Sequence, residues 1–164
     1  MNVQVRLTRK ELFQFLFYHM YFRPSGIIYA LVGLLSLGGG IYYILSGNMS
    51  GIFLVAISGV YFILQPLLLW IKAGQQIKNQ VFRETTCYHF SDVGILVWQK
   101  VGEESELKWD DVYRFVRTKK AYYLYVDGAH ANILPRSSVE GDPEDLDKMI
   151  VRNLKKQQLR GFGR

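Results

Sequence analysis

The sequence predicts an α+β membrane protein: a two-helix transmembrane hairpin joined to a small antiparallel β-sheet or β-barrel domain that a C-terminal amphipathic helix closes. Three observations predict it. No charged side chain stands between Arg23 and Lys72. The excess positive charge of the chain flanks that interval. Beyond it, short runs of β-forming residues alternate with turn formers before one amphipathic run.

The uncharged interval, Pro24 to Ile71, is dominated by Leu, Ile, Val, Phe, Tyr, Gly and Ala. A helix needs about 20 mostly apolar residues to cross a hydrocarbon core of about 30 Å, so the interval holds two crossings and not three. Ser46-Gly47-Asn48-Met49-Ser50-Gly51 is a run of turn formers that lipid does not tolerate as regular helix. It divides the interval into predicted crossings at residues 26–45 and 52–71. A second apolar run so soon after a long first one is not the pattern of a cleaved leader.

The formal charge of +6 has a definite address. Arg6, Arg9, Lys10 and Arg23 oppose the single Glu11 before the hairpin, and Lys72, Lys78 and Arg83 stand unopposed after it. From Glu84 onward 13 basic and 13 acidic residues cancel. The connecting turn is uncharged. The positive-inside rule then places both termini in the cytoplasm and the turn outside. Flanking charge of this kind suits orientation and contact with anionic lipid, so membrane lipids are expected partners and nucleic acid is not. The one cysteine, Cys87, makes no internal disulfide and suits a reducing compartment.

Each element has its own signal. Val3-Gln4-Val5-Arg6-Leu7 alternates as a short half-buried strand does. Thr8 and Glu11 have the spacing of a capping box and open a predicted helix from Arg9 to Tyr21, rich in Phe and Tyr, which favour the interface between headgroups and water. Arg23-Pro24 bends the chain into the first crossing. That crossing carries Gly26, Ala30, Gly33, Ser36 and Gly40, small residues that let a second helix approach closely. Packing against the second crossing is the first explanation, and an interface with another protein or a second copy is the alternative. Neither crossing contains Asp, Glu, Lys, Arg or His, which ion and proton pathways use; the hairpin is expected to be an anchor.

Strand-like runs follow at Val81–Phe90, Ile95–Val101, Glu106–Trp109, Val112–Thr118, Ala121–Asp127 and Ala131–Leu134, with turn formers such as Ser91-Asp92-Val93-Gly94 and Asp127-Gly128 between them. Asp142-Pro143-Glu144-Asp145 supplies an N-cap, a first-turn proline and acidic residues at the positive end of a last helix. Leu146, Met149, Ile150 and Leu154 form its apolar stripe. The expected organisation is a strand and interfacial helix over 1–23, the hairpin over 24–71 and a cytoplasmic domain over 72–164. A five-residue strand does not persist alone in water, so Val3–Leu7 is expected to join the sheet of that domain, with the hairpin inserted after it.

An ordered set of short motifs carries a resemblance. Tyr88-x-Phe90, Gly94-Ile95, Leu107-x-Trp109-Asp110-Asp111-Val112, Thr118-Lys119-Lys120, Tyr123-Leu124-Tyr125 and Ile133-Leu134-Pro135-Arg136, behind two apolar spans, resemble the bacterial YcxB-like family. The resemblance implies a protein of the bacterial inner membrane with a cytoplasmic sheet and C-terminal helix, similar in outline to pleckstrin-homology (PH) domains. It implies no established activity and therefore no catalytic residues to transfer.

The residues themselves point to binding rather than catalysis. His19, His89 and His130 lack metal-ligand spacing, and Cys87 with His89 lacks a third orienting group. Glu103, Glu104, Glu106, Asp110 and Asp111 gather around a turn, where water screens them. Gly38-Gly39-Gly40 lies inside a crossing without the lysine of a phosphate-binding loop. No catalytic residue, metal site or cofactor is expected. Tyr123 and Tyr125 are expected in the core with Trp109, and Tyr122 on the opposite face of its strand. Arg114, Arg117, Lys119, Lys120 and Arg136 gather around one predicted hairpin, either as a surface for lipid headgroups or a partner's acidic segment, or as a solvated rim. The expected function is a membrane-anchored binding or scaffold module, an accessory or regulatory subunit of an inner-membrane complex that engages a membrane-protein partner or a second copy. Protection against membrane-active peptides or compounds, or assistance to a transporter, is the alternative, with a membrane-surface enzyme behind both.

Overall fold

The computed structural model describes residues 1–99, 104–128 and 130–162. The chain forms two compact units: one comprises Met1–Glu11 with Ile77–Arg164, the other Leu12–Gln76. The last residues of the third predicted strand, Lys100 and Val101, and the turn residues Gly102 and Glu103 lie outside the described residues.

In the discontinuous unit, β1 (Asn2–Val5) pairs antiparallel with β2 (Thr86–Phe90), Val5 opposite Thr86 and Asn2 opposite His89. β3 (Gly94–Gln99) and β4 (Ser105–Lys108) continue this sheet in the order β1-β2-β3-β4. A second sheet runs β7-β6-β5-β8, from β5 (Arg114–Arg117), β6 (Ala121–Tyr125), β7 (Ala131–Pro135) and β8 (Leu159–Arg160). The chain that follows β7 reaches β1, where Val3 bridges Val139 and the Glu140 amide donates to the Asn2 carbonyl at 3.0 Å. Their inner faces enclose one core: Val3, Val5, Tyr88, Phe90 and Ile95 from the first sheet, Phe115, Tyr122, Leu124 and Leu134 from the second.

The closing helix α6 (Pro143–Asn153) starts where the sequence predicts. Asp142 accepts from the Glu144 amide at 2.9 Å, and Pro143 occupies the first turn. Leu146 and Ile150 are fully buried in the same core, and Leu154 follows them. Of the two alternatives, sheet or barrel, this arrangement keeps the antiparallel sheet and corrects the barrel. Among the described residues the sheets do not close on each other; α6 packs its apolar stripe into their core instead. After α6 the chain returns, and β8 pairs parallel with β5. Gly161 makes this return possible. Its φ of +77° favours glycine, and a Cβ there would stand 2.1 Å from the Arg117 carbonyl oxygen.

β2 starts later than predicted for a physical reason. β1 ends at Val5, opposite Thr86, so the chain before Thr86 gains no pairing from β1. It folds instead into the short helix α5 (Gln80–Arg83), whose Phe82 and Arg83 amides donate to the Asn79 carbonyl.

The second unit contains most of α1 (Arg9–Tyr21), then α2 (Pro24–Leu45) and a continuous helical run over Gly51–Gln76. The α2 helix and this run are each long and apolar enough to cross a membrane, and their large side chains, Leu35, Leu45, Phe53 and Ile63 among them, are exposed. The run begins as α3 (Gly51–Gly59), changes to π-helix over Val60–Leu64 and resumes as α4 (Gln65–Gln76). Pro66 accounts for the change: it has no N–H for the Phe62 carbonyl, and its ring crowds that carbonyl in α geometry. The Gln65 amide donates to Val60 instead of Tyr61, and the Tyr21 hydroxyl donates to the released Tyr61 carbonyl at 2.7 Å. The Tyr61 hydroxyl in turn donates to the Gly26 carbonyl at 2.8 Å.

α2 and α3 approach most closely at Gly40 and Gly51. A Cβ on Gly51 would lie 2.3 Å from the Gly40 carbonyl oxygen, whereas one on Gly38 or Gly59 would meet nothing within 4 Å. Gly51→Ala is therefore expected to destabilise the hairpin by about 1–3 kcal/mol through backbone displacement. Gly38→Ala and Gly59→Ala are expected to be neutral or slightly stabilising, since alanine is the better helix former. Reversible unfolding in mixed micelles measures all three, and equal effects would contradict the close approach.

Candidate functional site

Four of the five predicted basic residues lie around the β5–β6 hairpin and one at the end of β7, and their side chains have different surroundings. β5 alternates, so Phe115 and Arg117 share one face and Arg114 and Val116 the other. The Arg117 guanidinium lies 3.1 Å from the Asp147 carboxylate of α6, and Arg136 lies 3.9 Å from the same oxygen. Arg136 also sits over the Tyr122 ring, its Cζ 5.4 Å from the centroid, and Arg117 lies 5.9 Å from the Phe162 centroid. Two of the five cations are thus committed to holding α6 and the C-terminal return on the second sheet. Arg114 stacks on Tyr113 at 5.3 Å.

Lys119 and Lys120 are exposed at the hairpin tip. Thr118 builds the turn: its amide donates to the Ala121 carbonyl at 2.9 Å, and its hydroxyl accepts from the Ala121 amide at 3.0 Å. The Arg136 amide donates to the Lys120 carbonyl at 2.9 Å, which sets the end of β7 beside this tip. The exposed basic surface is therefore the Lys119-Lys120 turn, with the Arg117–Asp147–Arg136 cluster as its support.

Asp147, which no local motif singles out, is the centre of this cluster. It is 9% exposed, and its Oδ1 is sealed from solvent without a hydrogen-bond partner. The only early signal was an acidic residue between Leu146 and Ile150 on the apolar side of a helix, which requires a cation opposite. Burial raises the Tyr122 phenol above its ordinary value, with the neighbouring Asp147 carboxylate adding to the effect. The Tyr122 hydroxyl donates to the Pro143 carbonyl at 3.1 Å, at the start of α6.

The strand β6 revises the expected faces. All five of its residues are buried. Tyr122 and Leu124, not Tyr123 and Tyr125, join Trp109 in the core between the sheets. Trp109 donates from its indole nitrogen to the Ser91 carbonyl at 3.0 Å.

The other candidates are dispersed. His89 Nδ1 lies 2.7 Å from Asn2 Oδ1, and His130 Nδ1 lies 2.7 Å from Asp127. His19 lies in α1, where burial and then the Arg23 charge lower its pKa. Cys87 and His89 share the outer face of β2. Glu104, Glu106, Asp110 and Asp111 are exposed, and Glu103 lies outside the described residues. Among the described residues no three His, Cys, Asp or Glu side chains are grouped to hold a metal. Of the small residues in α2, Gly26, Gly33 and Gly40 are buried and Ala30 and Ser36 partly so. Gly33 faces Phe62 and Gly40 faces Gly51 and Val55, so these two serve the contact within the hairpin.

Fold and site together define a class: a two-sheet α+β unit closed by a helix, with two long apolar helices inserted in the chain between its first two strands. Residues 90–150 match the family model described as YcxB-like protein, the family that the sequence motifs resemble. No curated protein and no solved structure gives a match.

Asp147→Ala leaves two guanidinium groups without their shared carboxylate. It is expected to destabilise the two-sheet unit by about 1–3 kcal/mol, seen as a lower Tm, and an unchanged Tm would contradict the clamp. A second expectation concerns alkaline pH. Burial holds the Tyr88 phenol well above its ordinary value of 10.0, so the unfolded chain ionises there first. Stability is therefore fully present below that pH and falls as pH rises past it. Tyr88→Phe should flatten the alkaline fall in Tm, and an identical slope would refute the effect.

Proposed function

We propose that this protein is a membrane-anchored binding module, with α2 and the Gly51–Gln76 run crossing the bacterial cytoplasmic membrane as a hairpin and a PH-like unit on its inner side. The observation that carries this reading is the β1–β2 pairing. The strands on either side of the apolar helices are neighbours in one sheet, so the soluble unit and the anchor are connected by two chain segments rather than one. The exposed apolar side chains of both long helices support insertion, because water would charge about 25 cal/mol for each Å² of apolar surface left uncovered. The basic residues that flank the helices support the assignment of both termini to the cytoplasm.

Tethering raises the effective concentration of the unit toward partners in the same membrane. The Lys119-Lys120 turn, with Arg114 nearby in the chain, is the surface assigned to that contact, for an acidic segment of a membrane-protein partner or for anionic headgroups. The protein is then an accessory or regulatory subunit whose work is binding, not catalysis.

The test uses the native cysteine and one added thiol. In intact cells Asn48→Cys, in the turn between the helices, should react with a membrane-impermeant maleimide, and Cys87 should react only after permeabilisation. Photo-cross-linking from position 120 should then give one defined membrane-protein adduct that Lys119→Glu abolishes. Labelling of Cys87 from outside would overturn the orientation, and adducts that survive Lys119→Glu would overturn the surface.

A further inference from the structure

One end of the second sheet gathers like charges. Ala121 stands opposite Pro135, and the register carries on by one position, since the Arg136 amide donates to the Lys120 carbonyl. Lys120 and Arg136 are therefore cross-strand partners, and alternation puts Tyr122 on the face they share. Arg117 stands opposite Tyr122 in the neighbouring strand, so its side chain shares that face as well. Like charges set directly opposite each other are destabilising. Among the described residues the only carboxylate paired with any of these three cations is Asp147, which Arg117 and Arg136 share.

Asp147 positions the two guanidinium groups without exhausting them. Arg117 reaches its Oδ2 at 3.1 Å, and Arg136 stands 3.9 Å from the same oxygen, beyond hydrogen-bond distance. Each guanidinium fork carries several N–H donors, and the described residues place no further acceptor within hydrogen-bond distance of either. Rings hold the two groups in place: the Arg136 Cζ lies 5.4 Å from the Tyr122 centroid and the Arg117 Cζ 5.9 Å from that of Phe162. The Arg117 side chain is 30% exposed and that of Arg136 is 23% exposed. Both are open enough to admit a ligand and shielded enough to strengthen an ionic contact with it.

The charge selects the ligand. Three cations against one carboxylate leave two positive charges unanswered. A carboxylate monoanion would answer one of them and engage one fork. A phosphate monoester carries about −1.5 to −2 at neutral pH and three acceptor oxygens, enough for both forks and the ammonium group. We infer that Arg117, Lys120 and Arg136 form a binding site for a phosphate monoester, with Asp147 as the group that orients the two guanidiniums. The inference rests on the binding-module reading and deepens it: it names the anion, and it moves the centre of the contact from Lys119 onto the guanidinium pair.

The test uses the full chain in phosphatidylcholine nanodiscs and calorimetric titration with glycerol 3-phosphate, a soluble monoester, with empty nanodiscs as the blank. Saturable binding is expected. Dimethyl phosphate, a monoanionic diester, should bind at least about tenfold more weakly. Arg117→Lys and Arg136→Lys keep the charge and lose the fork. Each should weaken the Kd about tenfold or more, the range of one charge-assisted hydrogen bond. Lys120→Gln, on the exposed turn, leaves the clamp on α6 intact and should weaken the Kd by about 2–5-fold. A second arm omits the soluble ester and compares discs containing phosphatidic acid with discs containing phosphatidylglycerol, matched in total charge. A higher Tm with phosphatidic acid, lost in Arg136→Lys, assigns the phosphate to a lipid headgroup, whereas binding of glycerol 3-phosphate without that rise assigns it to a soluble ester. Either result supports the site. No response in either arm, equal binding of the diester, or binding untouched by both lysine variants would overturn it. The titration contains no partner protein, so its failure is distinct from a failure of cross-linking at position 120.

Discussion

The backbone pairing of β1 with β2 is the constraint on which the two-sheet unit depends. Four residues near one end of the chain find their partners more than 80 positions away, across the whole apolar region. Without β1, Val3 and Val5 leave the core, and each contributes about 1.5–3 kcal/mol by burial. The isolated bridge from Val3 to Val139, in the chain that follows β7, goes with them. β2 also acquires an open edge. A short strand alone in water has no stability of its own, so each part needs the other.

The same pairing gives the inserted helices their role. The chain leaves the sheet after Val5 and re-enters it at Thr86, directly opposite, so the insertion starts and ends at one place in the sheet. Within the inserted unit, two further contacts preserve order: the Gly40–Gly51 approach and the chain of hydrogen bonds from Tyr21 through Tyr61 to Gly26. The hydrogen bonds use backbone carbonyls that have no water to turn to if the helices lie in lipid. Within the two-sheet unit, Asp147 does the corresponding work for α6, drawing Arg117 and Arg136 onto one carboxylate.

Local signals were legible, and long-range ones were not. α1, the start of α2 and the start of α6 follow from Thr8 with Glu11, from Arg23-Pro24 and from Asp142-Pro143, because capping and proline geometry act within a turn. The gap in charge located both long helices. The π segment had its cause in plain view at Pro66, but a helical period does not reveal which carbonyl will be released. β8 is two residues long and depends on a partner 44 positions away, Phe115 for Leu159, so no local pattern announces it. Alternation separated Tyr122 from Tyr123 and Tyr125 but did not tell inside from outside, since every residue of β6 is buried. The five basic residues were visible as a group. That two of them serve Asp147 required knowing where α6 packs.

The most direct test places a covalent bond where β1 meets β2. Gln4 stands opposite Cys87. Met1 and Phe90 exchange both of their backbone hydrogen bonds, so by alternation Gln4 and Cys87 form a non-hydrogen-bonded pair, where Cα atoms lie about 4.5 Å apart and within the range of a disulfide. Mild oxidation of the Gln4→Cys protein, followed by peptide mapping without reduction, should recover residues 4 and 87 linked within one chain. Free thiols at both positions, or links formed only between chains, would contradict the pairing.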